Sequence, residues 1–171
     1  MATNYRYISA VGQINDMACW AACLKWWYKA EMSINASQTK LWDRYKHLRE
    51  PLGGMSDSGI EHIINENAMK CLVFQNASDF THWRANTFLD LGPMYVAYST
   101  TGSLKRHVNV LYDISGDGPW AEVRAMEPQA VEKSDGTWKG EHQKRSLSEY
   151  NMQGTIFAGI KRSKWEAYLA S

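Results

Sequence analysis

Gln13-Ile14-Asn15-Asp16-Met17-Ala18-Cys19-Trp20 places a glutamine six positions ahead of a Cys-Trp pair that opens the most helix-like stretch of the chain. An Asp just before an apolar-periodic run is a helix start signal, so Asp16 is the expected N-cap and Cys19 falls in the first helical turn. Unpaired backbone N–H groups and the positive end of the helix dipole favour an anion there, which raises the thiolate fraction of a cysteine. Gln13, on the preceding loop, can bring a side-chain N–H beside the same thiol, where a donor would form half of an oxyanion hole. Free cysteines are most often buried and inert. Cys19 alone is therefore no site, and its partners decide.

Outward from this segment, the spacing of Trp20, Cys23, Leu24 and Trp27 predicts a central helix over 17–31. A second helix is expected over 38–49, with Leu41, Trp42, Tyr45 and Leu48 inward and Pro51 and Gly53-Gly54 ending it. Ser58-Gly-Ile-Glu61 reads as a capping box for a third helix reaching Lys70, with Ile60, Ile63 and Ile64 on one face. A short strand over 71–75 and a helix capped by Ser78 and running to Leu91 follow, and Gly92-Pro93 breaks the pattern.

Beyond residue 93 the period changes to that of strands: 94–99, a turn at Thr101-Gly102, then 106–114, with Val108, Val110, Tyr112 and Ile114 alternating to one face. Gly116-Asp117-Gly118-Pro119 is a turn, 120–126 the returning strand, 132–144 a polar loop, 147–152 a short helix and 155–160 a last strand. Helices first and an antiparallel sheet second make an α+β domain. No linker or repeat divides residues 1–171, which are expected to form a single domain.

His107 lies ten positions before Asp117 and Glu127 ten after it. In a hairpin centred on Asp117 the two are opposed on one face with β-carbons about 5 Å apart, so Glu127 can accept from one imidazole nitrogen and leave the other for Cys19. A Cys/His catalyst needs a base that takes the thiol proton and a third group that orients the base. Asn109 and Asp113 share the face of His107 and are the fallback orienters. His47, His62, His82 and His142 read as surface residues, and Cys23 and Cys71 as core.

Lys and Arg total 19 against 18 Asp and Glu, so no strong field draws the chain to nucleic acid or an anionic membrane. The first residues lack the apolar core of a signal peptide, which leaves the cytoplasm or a signal-independent secretion route. Three cysteines are too few for a disulfide framework, and the histidines form no paired ligand motif beside Cys19 and Cys23, so neither a metal nor another cofactor is expected. Trp138, between Gly136 and Gly140 in the polar stretch, is a candidate lid or substrate contact.

Gln13, Cys19-Trp20-Ala21-Ala22, Gly92-Pro93-Met94-Tyr95-Val96, His107 and Glu127-Pro128 together resemble papain-like cysteine peptidases over roughly residues 8–160. The similarity is greatest to compact bacterial forms, the double-glycine peptidases that process bacteriocins and the secreted effector proteases. It implies a papain-like fold and a catalytic Cys19, His107 and Glu127, with Gln13 in the oxyanion hole and a protein or peptide substrate. Two departures stand out: Arg106 where a Gly often precedes the histidine, and Glu127 where Asp or Asn is usual. An effector or toxin role, with an immunity or inhibitor protein as partner, comes from the resemblance alone, and a monomer is expected. Rival readings are a cell-wall peptide amidase, a transferase using the same site, and a papain-fold binding module whose chemistry has lapsed.

Overall fold

The computed structural model describes residues 4–51, 54–100 and 106–171. Helix α1, Cys19–Met32, buries nearly every residue of its first two and a half turns, including Trp20, Trp26 and Trp27, so it is buried on all sides and central. Helix α2, Gln38–Tyr45, is capped by Ser37 and continues as a 3-10 turn over Lys46–Leu48. Helix α3, Asp57–Glu66, is capped by Ser56, whose hydroxyl accepts from Gly59 N–H. The cap therefore precedes the expected Ser58 box, and the helix ends four residues before Lys70.

Strand β1 spans Met69–Phe74 and helix α4 His82–Leu89, started by Thr81 rather than Ser78 because Ala77–Asp79 forms a separate 3-10 turn. Strands β2 Met94–Ser99 and β3 Arg106–Ser115 form an antiparallel pair; the expected Thr101-Gly102 turn between them lies outside the described residues. Strand β4 is Glu122–Glu132 and β5 Trp138–Ser146, followed by α5 Ser148–Asn151, β6 Ile156–Lys161 and α6 Arg162–Ala170. The sheet order is β1-β6-β2-β3-β4-β5, with every pairing antiparallel.

Residues 132–144 are thus not a polar loop. Their second half is an edge strand, and edge strands carry polar and charged side chains that hide a strand from a pattern based on hydrophobicity. Helix α6 has no buried residue, which explains why no apolar stripe announced it.

Both faces of the sheet are covered. Tyr95, Ala97, Val108, Val110 and Met126 join the core with α1, α2 and α3, while Val96, Tyr98, Leu111, Val123 and Ala125 join a second core with Phe88 of α4 and Tyr150 of α5. Double burial explains the continuous apolar run Met94-Tyr-Val-Ala-Tyr98. Along β3 the alternation slips once. Leu111 pairs with Ala125 but Asp113 with Arg124, so Tyr112 is the extra residue of a β-bulge. Tyr112 packs in the first core and Ile114 against the second, so the expected single face from Val108 to Ile114 is broken at the bulge.

Candidate active site

Cys19 is the first residue of α1, where its N–H has no intrahelical acceptor and the helix dipole favours a negative charge. Asp16 is not the cap. Asn15 shapes the turn instead: its Oδ1 accepts from Met17 N–H at 2.9 Å, and its carbonyl accepts from Ala18 N–H at 3.3 Å. An asparagine that closes on the backbone two residues ahead makes an Asx-turn and leaves Asp16 to point elsewhere. Asp16 Oδ1 accepts from the Trp138 indole N–H at 2.8 Å.

Cys19 and His107 line the same cavity, close enough for Cys19 to push the His107 pKa up. His107 Nε2 contacts Glu127 Oε1 at 2.6 Å, which leaves Nδ1 free of the carboxylate. The hairpin register differs from the symmetric one about Asp117. Val110 pairs with Met126, so Glu127 stands beside Asn109 and reaches His107 along the diagonal. A shift of two residues keeps the face, and the extra methylene of glutamate spans the longer diagonal. Asp113, beyond the bulge, lies exposed near Arg124 at 3.9 Å and takes no part.

Glu127 is buried and fully engaged. Oε1 also accepts from Gln129 N–H at 2.8 Å, and Oε2 accepts from Asn109 Nδ2 and Arg145 Nη1, each at 3.0 Å. Burial pushes its pKa up, but the hydrogen bond and charge of His107 and the donated N–H groups of Asn109 and Gln129 outweigh it and hold the carboxyl below its ordinary value. Burial of His107 favours the neutral ring. The hydrogen bonds to Cys19 and Glu127 prevail and push its pKa up to about 10. The raised pKa favours the imidazolium, the form that can stabilise a neighbouring thiolate.

Arg145 and Asn109 complete the base side. Asn109 Oδ1 accepts from Arg145 Nη1 at 2.8 Å, Tyr150 Oη at 3.0 Å and Tyr98 Oη at 3.2 Å, and the guanidinium stands 5.5 Å from the Tyr150 ring. Asn109 was legible only as an alternative orienter; it supports the acid rather than replacing it. Arg145 was not legible, because it sits on the edge strand that reads as loop.

Gln13 is fully buried. Its Nε2 donates to Asn15 O at 2.8 Å, which uses one of two hydrogens, and Oε1 has no partner among the described residues. Gln13 N–H donates to Pro128 O at 3.1 Å and its carbonyl accepts from Trp138 N–H at 2.9 Å, so the segment is wedged between β4 and β5. The cavity beside Cys19 and His107 measures about 460 Å³ and is lined also by Trp20, Met55, Ile60 and Trp138. Arg106, at its edge, is tied to the Asp57 carboxylate, with Nη2 to Oδ2 at 3.0 Å, and lies over the Phe157 ring at 4.9 Å.

Cys23, one turn after Cys19, donates to Val108 O at 3.2 Å, and burial, with the charges of Cys19 and Glu127, pushes its thiol far up. Burial pushes Cys71 up to about 12. Both are packing residues without thiolate character at neutral pH.

Among known folds, the chain is similar to the peptidase domain of Streptococcus ComA, a bi-functional ABC transporter involved in a quorum-sensing pathway. The TM-score is 0.60 at 15% identity, over 90% of this chain and 98% of that one. The Streptococcus mutans ComA peptidase domain gives 0.47 at 14% identity, over 88% and 98%. No curated protein matches. The model of the family described as papain-like cysteine protease AvrRpt2 matches residues 3–153. With an α+β fold of the kind seen in peptidase domains and that match across most of its length, the chain belongs to the papain-like cysteine protease family of AvrRpt2 and is a cysteine peptidase.

Proposed function

We propose that Cys19, His107 and Glu127 form the catalytic triad of a thiol hydrolase acting on peptide-type amide bonds. The observation that carries the reading is the contact of His107 with Glu127, whose second oxygen is itself held by Asn109 and Arg145, beside a cavity that Cys19 and His107 share. Cys19 thiolate attacks the substrate carbonyl carbon, and the carbonyl electron pair moves to oxygen, where the Cys19 N–H and the Gln13 amide receive it. His107 imidazolium gives its proton to the leaving amine as the C–N bond breaks, and a thioester remains on Cys19. Water then attacks the thioester and yields a proton to His107. The acid leaves, and the thiolate–imidazolium pair is restored.

Glu127 orients the ring and balances its charge throughout. The four donors around its carboxylate keep it ionised, so the longer acid does the work of the usual Asp or Asn. This favours an active enzyme over a lapsed binding module. The matching family and the lack of a charged field favour a protein or peptide substrate, and the role we favour is that of a delivered effector or toxin.

Cys19→Ala should abolish turnover without unfolding the protein, and iodoacetamide should alkylate wild-type Cys19 ahead of Cys23 and Cys71, whose thiols burial pushes up. Sluggish alkylation, or turnover retained in Cys19→Ala, would overturn the reading. Comparing protein N-termini in target-cell extract exposed to wild type or to Cys19→Ala would identify substrates. Product analysis on purified sacculi would reveal a cell-wall amidase instead.

A further inference from the structure

Gln38 is the first residue of α2, distant in sequence from the nucleophile, and 8% exposed. Its side-chain amide is used on both sides. Oε1 accepts from Ile14 N–H at 3.0 Å, and Nε2 donates to Gly12 O at 3.0 Å. The residue between those two contacts is Gln13. The amide thus behaves like a neighbouring strand residue, paired with the main chain on either side of the glutamine.

The rest of the segment is fixed by contacts equally remote in sequence. Gln13 N–H and C=O are taken by Pro128 O and Trp138 N–H. Gly12 lies so close to β5 that a β-carbon there would fall 1.7 Å from Trp138 O, and one on Gly140 would fall 2.4 Å from Val11 O. Two faces of the segment are thereby set by strands β4 and β5. Two further main-chain groups, Gly12 O and Ile14 N–H, are set by Gln38.

We infer that Gln38 is a positioning residue for the oxyanion site: by bracketing Gln13 with a bidentate amide it aims the Gln13 side chain at the carbonyl oxygen that Cys19 attacks. This rests on the roles given to Gln13 and Cys19 under Proposed function. Oxyanion stabilisation depends on donors fixed before the charge develops, and a displacement of about 1 Å can cost about 100-fold. Only a primary amide offers the donor and the acceptor that the two main-chain groups need; glutamate keeps the acceptor alone, and methionine, of similar shape, keeps neither.

The test separates thiol reactivity from oxyanion binding. Iodoacetamide alkylates Cys19 by displacement of iodide and develops no oxyanion. N-acetyl-phenylalanyl-glycinal is an aldehyde that forms a hemithioacetal: the S–C bond forms, the carbonyl pair moves to oxygen, and His107 supplies the proton. Its binding is read as protection of Cys19 from iodoacetamide in the intact protein. Gln38→Met should raise the protecting concentration about 10-fold and Gln13→Ala about 100-fold, in line with the loss of one oxyanion donor. Gln38→Met should leave the alkylation rate within about twofold of wild type, and Gln38→Glu should give protection between wild type and Gln38→Met. The double variant should equal Gln13→Ala, because a residue acting through Gln13 has nothing left to act on.

Wild-type protection in Gln38→Met, or a double variant that loses the product of the two single effects, overturns the proposal. So does alkylation that slows in parallel with protection, which marks a disturbed site rather than a misaimed donor. If Gln13→Ala also protects like wild type, the oxyanion role of Gln13 itself fails, and the inference falls with it.

Discussion

The two sides of the proposed catalytic cleft are held in place by different physics. On the nucleophile side, Gln13 and its neighbours are fixed by neutral contacts: main-chain hydrogen bonds to Pro128 and Trp138, the Gln38 amide, and a glycine packed against a carbonyl. On the base side, His107 is held by ionised groups, with Glu127 between the imidazole and Arg145, and Arg145 in turn reaching Glu149 at 3.3 Å. Neutral contacts do not titrate, so the oxyanion side should be insensitive to pH. The base side should not be.

The strongest way to break this contrast is Glu127→Gln. The neutral amide keeps the shape but removes the charge that favours the imidazolium, as well as the acceptor for Arg145. We expect kcat/KM to fall about 10²–10⁴-fold, the range lost when a positioned proton-transfer group is miscast. The alkaline limb of the pH profile should also move to lower pH, because the His107 pKa, now up to about 10, drops. A profile of unchanged shape would show that Glu127 does not set the charge of the base.

The same charges make stability depend on pH. His107 has a raised folded pKa, so its contribution is complete below about 6.5, the value of a free histidine, and is lost as pH rises towards 10. Glu127 has a depressed one, so its contribution is complete above the ordinary glutamate value and is lost as pH falls through its folded value. The melting temperature should therefore decline between pH 6.5 and 10, and the decline should be shallower in Glu127→Gln. Equal slopes in the two proteins would sink this assignment.

Arg145→Met removes a charged donor from Glu127 Oε2 and Asn109 Oδ1 while keeping much of the side-chain stem. A loss of about 1.5–3 kcal/mol is expected, the value of hydrogen bonds to charged groups, measured by urea unfolding. Gly12→Ala probes the neutral side. Its methyl would meet Trp138 O, and overpacking of that kind costs about 1–3 kcal/mol, with no change in the pH dependence of stability. Cys23→Ala, one turn from the nucleophile, should change turnover less than twofold and stability by about 1 kcal/mol, because only packing and one weak S–H donor are lost.

Much of this contrast was legible in the sequence, though unevenly. Gln13, Cys19, His107 and Glu127 each sit in a local pattern: a loop before an amphipathic helix, the helix start, a Val-rich strand, and the strand after a glycine-rich turn. Asp16 is not the cap its position suggests: α1 starts without a side-chain cap, Asn15 closes the turn before it, and the distant Trp138 indole takes the Asp16 carboxylate. Gln38 and Arg145 were invisible for a different reason. Each acts across a long stretch of sequence through a polar side chain, and nothing in hydrophobic periodicity marks a polar residue whose partners lie on elements far away in the chain.

The extra residue at Tyr112 has a consequence for how this hairpin tolerates change in length. Outside the bulge, Asp113, Ile114 and Ser115 pair with Arg124, Val123 and Glu122; inside it, Leu111 and Val110 pair with Ala125 and Met126. Carried through without the bulge, the outer pairing would bring Glu127 opposite Val110 and turn its carboxylate to the face away from His107. The exposed tip and the catalytic half of the hairpin therefore count in opposite parity. Insertions or deletions of two residues near the tip preserve the phase between acid and base, whereas a single-residue change is tolerated only if the bulge is gained or lost with it.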